Sequence, residues 1–125
     1  MYFIRKIVFP IILALIISIL SACFGNDDND APKDWVRIDI PVDGFSTSDE
    51  YVIVEGDAAL GDATYPPDAI YWYNEGASGV FPQQNICILA CLAVFRGYVP
   101  LYIGTNTITV QLNDASATVT VIRQP

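Results

Sequence analysis

Residues 106–123 read NTITVQLNDASATVTVIR, an alternation of apolar and polar side chains that is interrupted at Asn113-Asp114. A period of two residues is typical of a β-strand with one buried face, and an Asn-Asp pair favours a tight turn. The side chains that this alternation would bury are Ile108, Val110, Leu112, Val119 and Val121. The stretch therefore predicts an antiparallel hairpin whose two strands cover residues 106–113 and 117–123.

The same alternation recurs upstream in four further segments, residues 35–40, 51–58, 68–74 and 95–103. Clusters of Gly, Pro, Asn and Asp separate these segments, as expected where a chain turns between strands. The side chains predicted to face inward are Val36, Ile38, Ile40, Val52, Val54, Gly56, Ile70, Trp72, Phe95, Gly97, Val99, Leu101 and Ile103. Many short strands joined by turns predict an all-β domain at residues 35–125, an antiparallel sandwich of about six or seven strands.

The alternation fails at residues 86–95, which are apolar without a break and contain Cys87 and Cys91. A disulfide between these cysteines requires a turn, because four residues of straight strand span about 13 Å and a disulfide prefers Cα atoms about 6 Å apart. Export to an oxidising compartment, which the N-terminal residues described below predict, favours the disulfide. Two buried free thiols, or a redox or metal-binding pair, are the alternatives.

The first 22 residues differ in composition from the rest of the chain. Arg5 and Lys6 precede an apolar run at residues 7–20, and small residues follow, which is the layout of a secretion signal. A membrane-spanning helix is less well supported, because a helix made from that run extends only about 21 Å and a bilayer core is about 30 Å thick. We therefore predict that residues 1–22 are a signal peptide.

The sequence Leu20-Ser21-Ala22-Cys23 resembles the lipobox of bacterial lipoproteins. The resemblance implies cleavage before Cys23 and attachment of acyl chains such as palmitate to that residue, which would anchor the exported protein to a membrane. Phe24 stands where Asp is associated with inner-membrane retention in enterobacterial members, so the resemblance favours the outer membrane. Residues 23–34 would then be the lipidated cysteine and an acidic, solvated linker, which fits their composition better than a calcium loop does.

The folded part of the chain is similar to bacterial Ig-like domains. The similarity rests on Val99-Pro100-Leu101, the turn at Gly104-Thr105-Asn106, the strand Ile108-Thr109-Val110 and the final Val119-Thr120-Val121. It covers residues 35–123 and implies an Ig-like sandwich that spaces, displays or binds other domains. The chain departs from antibody domains in lacking the cysteines of their inter-sheet disulfide.

The composition excludes several classes of function. The chain has no histidine, so Ser-His-Asp and Cys-His catalytic sites and His-ligated metal sites are impossible. Its 14 Asp+Glu against 6 Lys+Arg argue against nucleic acid as a partner, because such binding needs basic side chains. No carboxylate pair stands in a glycosidase-like motif, and the Asp57 and Asp62 loop is a weak calcium candidate. We predict no enzymatic activity, no cofactor and no metal.

One set of side chains is a candidate binding face. The resemblance implies that the strands at 68–74, 106–113 and 117–123 share a sheet, and alternation then places on its outer surface Tyr71, Tyr73, Thr107, Thr109, Gln111, Thr118 and Thr120. Tyr98 and Tyr102 would belong to the other sheet. Tyrosine is enriched where proteins contact partners, although Tyr and Thr are also good strand formers. We predict a non-catalytic binding or display module for envelope proteins, with a cell-surface glycan-binding module as the alternative.

Overall fold

The computed structural model describes residues 32–125, and the regular structure in this range is entirely β-strand. The nine strands are β1 (Trp35–Ile40), β2 (Phe45–Thr47), β3 (Tyr51–Ala59), β4 (Tyr71–Asn74), β5 (Ala77–Val80), β6 (Gln83–Cys87), β7 (Cys91–Pro100), β8 (Gly104–Leu112) and β9 (Ala115–Arg123). No helix in this range is long and apolar enough to cross a membrane. The predictions for the signal peptide, for Cys23 and for the linker up to residue 31 lie outside the described residues.

The strands form two sheets around one apolar core. One sheet has four strands in the order β1-β3-β7-β6, and the other has five in the order β2-β9-β8-β4-β5. Neighbouring strands are antiparallel except for β2, which runs parallel to β9. Val54 and Phe95 enter the core from the first sheet, and Ile108 and Val121 enter it from the second. The prediction of an all-β, sandwich-like fold is confirmed at this level.

The prediction of about six or seven strands is wrong, because β2, β5 and β6 were not expected. β2 has only three residues, and β5 reads Ala-Ser-Gly-Val, so neither is long enough to show a clear period. β6 begins with Gln83-Gln84-Asn85 and forms the edge of its sheet, where polar side chains need not alternate with apolar ones. Ile70 is fully buried as predicted, but it precedes β4 instead of lying within it.

Burial follows the predicted alternation closely in β3, β8 and β9 and departs from it at strand ends. Ile40 is 43% exposed, because the pairing of β1 with β3 shifts between Ile38 and Ile40 and reorients the end of the strand. Ile103 is exposed because β7 ends at Pro100 and the chain has left the sheet. Trp72 is half-buried against the core instead of fully inside it.

Two buried asparagines connect the sheets at one end of the core. The side-chain nitrogen Nδ2 of Asn74, in β4, donates to the Pro100 carbonyl of β7 at 2.8 Å and to Oδ1 of Asn106 at 3.0 Å. Asn106 also accepts from the Tyr102 N–H and donates to the Tyr102 carbonyl, both at 2.8 Å. The pair therefore holds the loop between β7 and β8 against the five-stranded sheet. Oδ1 of Asn74 is buried there without a hydrogen-bond partner.

Candidate functional site

The seven predicted surface residues lie on the outer side of the five-stranded sheet. β4, β8 and β9 are adjacent there, and residues directly opposite each other across antiparallel strands point to the same side. Tyr73 pairs with Thr109, which pairs with Thr118 on the next strand. The other cross-strand pairs are Tyr71 with Gln111 and Thr107 with Thr120. We call this surface the tyrosine–threonine face; its members are Tyr71, Tyr73, Thr107, Thr109, Gln111, Thr118 and Thr120.

The tyrosine–threonine face is uncharged and partly apolar. Tyr71 is 44% exposed and Tyr73 is 42% exposed, so each ring is half covered by its neighbours and keeps a free surface. Val80 of β5 pairs with Tyr71 and extends the apolar area beyond the predicted set. None of its seven side chains is charged, although the chain has a formal charge of −8. At the edge of the face, the Asp43 carboxylate accepts from the Thr120 N–H at 2.7 Å.

An apolar groove that sequence reasoning missed lies against the four-stranded sheet. The exposed side chains along it are Ile40, Val42, Phe45, Tyr51 and Tyr98. Tyr51 pairs with Pro100 while Tyr98 pairs with Ile53, so the two tyrosines are diagonal neighbours on one side of the sheet. The groove joins residues from separate stretches of chain, and no local pattern could have signalled it.

Tyr98 and Tyr102 do not join the tyrosine–threonine face. Tyr98 lies in β7 of the four-stranded sheet, and Tyr102 lies in the loop that follows β7. Both side chains are exposed. The two tyrosine pairs of the domain, Tyr71 with Tyr73 and Tyr51 with Tyr98, therefore occupy different sheets and can be tested separately.

Cys87 and Cys91 close a hairpin that is apolar at its tip. The two cysteines pair across β6 and β7 with their Cα atoms 4.1 Å apart, and the structure joins them in a disulfide. The turn that the disulfide required consists of Ile88, Leu89 and Ala90. Ile88 is 87% exposed and Leu89 is 102% exposed, so both side chains project into solvent. Sequence reasoning singled out the cysteines and missed the exposure of the residues between them.

The carboxylates that suggested calcium are engaged within the protein. Both oxygens of Asp57 accept hydrogen bonds from Arg37, at 3.0 and 2.8 Å, across the paired strands β1 and β3. Asp62 accepts from the Thr64 N–H at 3.1 Å, and its pKa is lowered by its side-chain and backbone hydrogen bonds to Thr64. Asp57 therefore stabilises the pairing of β1 with β3, and Asp62 stabilises its own turn.

Asp34 ties the start of the domain to two other segments. One carboxylate oxygen accepts from the Asn113 amide at 2.8 Å, and the other accepts from the Gly61 N–H at 2.7 Å. Both bonds lower the pKa of Asp34 because they favour the ionised carboxylate, and the bond from Asn113 has the larger effect. The chain is thus fixed at this point to the β8–β9 turn and to the loop after β3.

Residues 32–125 contain no group of three or more His, Cys, Asp or Glu side chains placed to hold a metal ion. Comparison of the whole chain with protein-family models and with curated proteins finds no match. The function therefore has to be argued from the chemistry of the surfaces described above.

Proposed function

We propose that this protein is a non-catalytic lipoprotein of the bacterial envelope, anchored through acylated Cys23, whose Ig-like domain binds a protein partner. In this proposal residues 1–22 are the signal peptide, residues 23–34 are the linker, and residues 35–125 are the binding domain. The outer membrane is the proposed location. The domain presents the tyrosine–threonine face to its partner.

The observation that carries the proposal is the uncharged character of the tyrosine–threonine face in an acidic protein. Two half-exposed tyrosine rings stand beside threonine hydroxyls on three adjacent strands, so apolar area and hydrogen-bonding groups are interleaved on one rigid surface. Such a surface can be desolvated by a protein at low cost, because none of its seven side chains carries a charge that has to leave water. The chain has no histidine, so the Ser-His-Asp and Cys-His types of catalytic site are impossible, which supports a binding role over these enzymatic ones.

A glycan-binding role is the second candidate, and a different observation favours it. Tyr51 and Tyr98 lie diagonally on the four-stranded sheet beside the apolar groove. Flat aromatic rings with a hydroxyl at the edge can cover the apolar face of a sugar while hydrogen-bonding to its hydroxyl groups. The two candidate functions thus correspond to different sheets of the domain.

The test of the binding role uses the anchored chain in its own membrane. A photo-crosslinking amino acid placed at Tyr73 is compared with the same amino acid at Tyr98. We expect Tyr73 to give a discrete crosslinked protein and Tyr98 to give none. The double variant Tyr71→Ala, Tyr73→Ala should weaken binding of that partner at least about tenfold, roughly 1.4 kcal/mol.

The matched control is the double variant Tyr51→Ala, Tyr98→Ala, which removes the same groups from the opposite sheet. Crosslinking from Tyr98 alone, or loss of binding in the control alone, would contradict the assignment to the tyrosine–threonine face. Retention on insoluble envelope polysaccharide that depends on Tyr51 and Tyr98 would support the glycan-binding alternative.

The anchor is tested independently of the domain. Metabolic labelling with a fatty acid should mark the parent protein and leave Cys23→Ser unlabelled, because without the thiol no thioether can form. Membrane fractionation should then release the Cys23→Ser protein. Label that persists in this variant would contradict the lipoprotein proposal.

A further inference from the structure

We propose that the tip of the β6–β7 hairpin, Ile88-Leu89-Ala90, inserts into the lipid bilayer and gives the domain a second membrane contact. The inference rests on the proposed function, because acylated Cys23 is what brings the bilayer to this end of the domain. The hairpin tip would then fix the orientation of the domain, because two contacts with the bilayer restrict rotation that a single lipid anchor allows.

The hairpin tip exposes two large apolar side chains. Isolated exposed apolar residues are common on protein surfaces, but here two adjacent large ones are 87% and 102% exposed at a projecting turn. The Cys87–Cys91 disulfide closes the turn directly beneath them. The Cys91 N–H also donates to the Ala63 carbonyl at 2.7 Å, which fastens the base of the hairpin to the neighbouring loop. Ile88 and Leu89 are therefore held outward.

The hairpin tip lies at the end of the domain where β1 begins. Trp35 pairs with Ala59, and the preceding residue of β3, Ala58, pairs with Ala93 of β7. Cys91, two residues before Ala93, and the hairpin tip therefore lie at that same end of the sheet. Pro32 and Lys33 line a shallow pocket together with residues 90–92, so the chain enters the domain beside the hairpin.

The length of chain before the domain keeps this end near the membrane. Pro32 follows Cys23 by nine positions in the sequence, and a fully extended chain spans at most about 3.6 Å per position, so the linker reaches no further than roughly 32 Å. A tether of this length holds the hairpin tip at high effective concentration next to the bilayer surface. The bilayer is therefore the apolar medium that the hairpin tip meets first.

The hairpin itself lies in a stretch of chain without charge. Residues 76–95 contain no charged side chain, in a chain with 14 Asp+Glu. Trp35, 42% exposed, lies at the same end, and tryptophan is favoured at the boundary between lipid and water. Three acidic residues lie at this end outside the hairpin: Asp34 and Asp62 accept backbone hydrogen bonds, and Asp114 lies beside Pro32 and Lys33. A stable protein interface needs about 1,000 Å² or more of buried surface, which two large side chains do not supply. Insertion into a bilayer needs no such area.

The test places a fluorescent reporter at the hairpin tip and at a matched site. Leu89→Trp is compared with Ile103→Trp, which is also exposed but lies beyond the other end of β7, about 30 Å away along a strand of ten residues. The acylated full-length chains are reconstituted into phosphatidylethanolamine–phosphatidylglycerol vesicles whose acyl chains carry bromine, which quenches tryptophan on contact. The parent chain supplies the signal of Trp35 and Trp72 for subtraction.

We expect the added emission of Leu89→Trp to be quenched at least twofold and that of Ile103→Trp to be unchanged. Equal quenching at the two sites would overturn the proposal. A Leu89→Trp emission that is shifted to the blue without quenching would also overturn it, because the tip would then be covered by protein, such as a second copy of the chain. Intact mass of the same samples reports the acylation of Cys23: an acylated chain without quenching contradicts only the hairpin contact, whereas an unacylated chain contradicts the anchor as well.

Discussion

Replacing Asn106 with alanine should strongly destabilise the domain. Asn106 is 1% exposed, and its side chain forms hydrogen bonds on both sides. Its Oδ1 accepts from the Tyr102 N–H and from Nδ2 of Asn74, and its Nδ2 donates to carbonyls that include Tyr102 at 2.8 Å and Val121 at 3.3 Å. Alanine removes all of these bonds and leaves a small cavity between the β7–β8 loop and the sheet.

The loss of stability in Asn106→Ala depends on which of the former hydrogen-bond partners water can reach. The backbone groups of Tyr102 lie close to the surface and can be hydrated, whereas the Val121 carbonyl and part of the Asn74 amide stay buried. Each buried group without a partner costs about 1–3 kcal/mol. The change should therefore lower the free energy of unfolding by about 3–5 kcal/mol, from a typical total of about 5–15 kcal/mol. For a domain of this size that corresponds to a fall in Tm on the order of 15–25 °C.

The assay is thermal unfolding of the full-length chain in detergent micelles, followed by circular dichroism. Thr107→Ala is the matched control, because Thr107 is the next residue of β8 and faces solvent, so its Tm should stay within a few degrees of the parent value. A Tm for Asn106→Ala within about 3 °C of the parent value would refute the argument that this amide holds the β7–β8 loop to the sheet.

Three further predictions concern other parts of the domain. Reduction should add about 2 Da to the intact mass if Cys87 and Cys91 are joined as in the structure; an unchanged mass would show free thiols. Gly79→Ala should cost about 1–3 kcal/mol in urea unfolding, since a Cβ there would lie 2.6 Å from Nε1 of Trp72 and push the ring off the sheet; an unchanged urea midpoint would contradict this packing. The pKa of Asp34 is lowered by its hydrogen bonds in the folded state, so its contribution to stability is present above its ordinary pKa of 3.8 and is lost as the pH falls below it. The difference in Tm between pH 7 and pH 3 should therefore shrink in Asp34→Asn, and an unchanged difference would show that these bonds do not stabilise the fold.

The sequence by itself determined the fold class and most of the buried faces. Val54, Ile108 and Val121 occupy the inward positions that a period of two assigns to them, because side chains of a strand must alternate between core and solvent. The turn at Asn113-Asp114 was also predictable from the neighbouring residues alone. Asn113 adopts a φ of 51°, a conformation that asparagine tolerates better than most residues. The grouping of Tyr71 and Tyr73 with the threonines needed one further step, the family resemblance, because alternation does not state which strands are neighbours.

Only the tertiary structure decided the features that depend on contacts between distant segments. Asn74 and Asn106 are buried together because Nδ2 of Asn74 donates to Oδ1 of Asn106 across 32 residues of sequence, whereas sequence patterns place asparagine in turns. The groove beside Tyr98 and the position of Leu89 near the start of the domain likewise arise from strand pairing. Strand pairing is set by the burial and hydrogen bonding of the whole chain. The local alternation of side chains therefore does not encode which strands become neighbours or which exposed residues lie together.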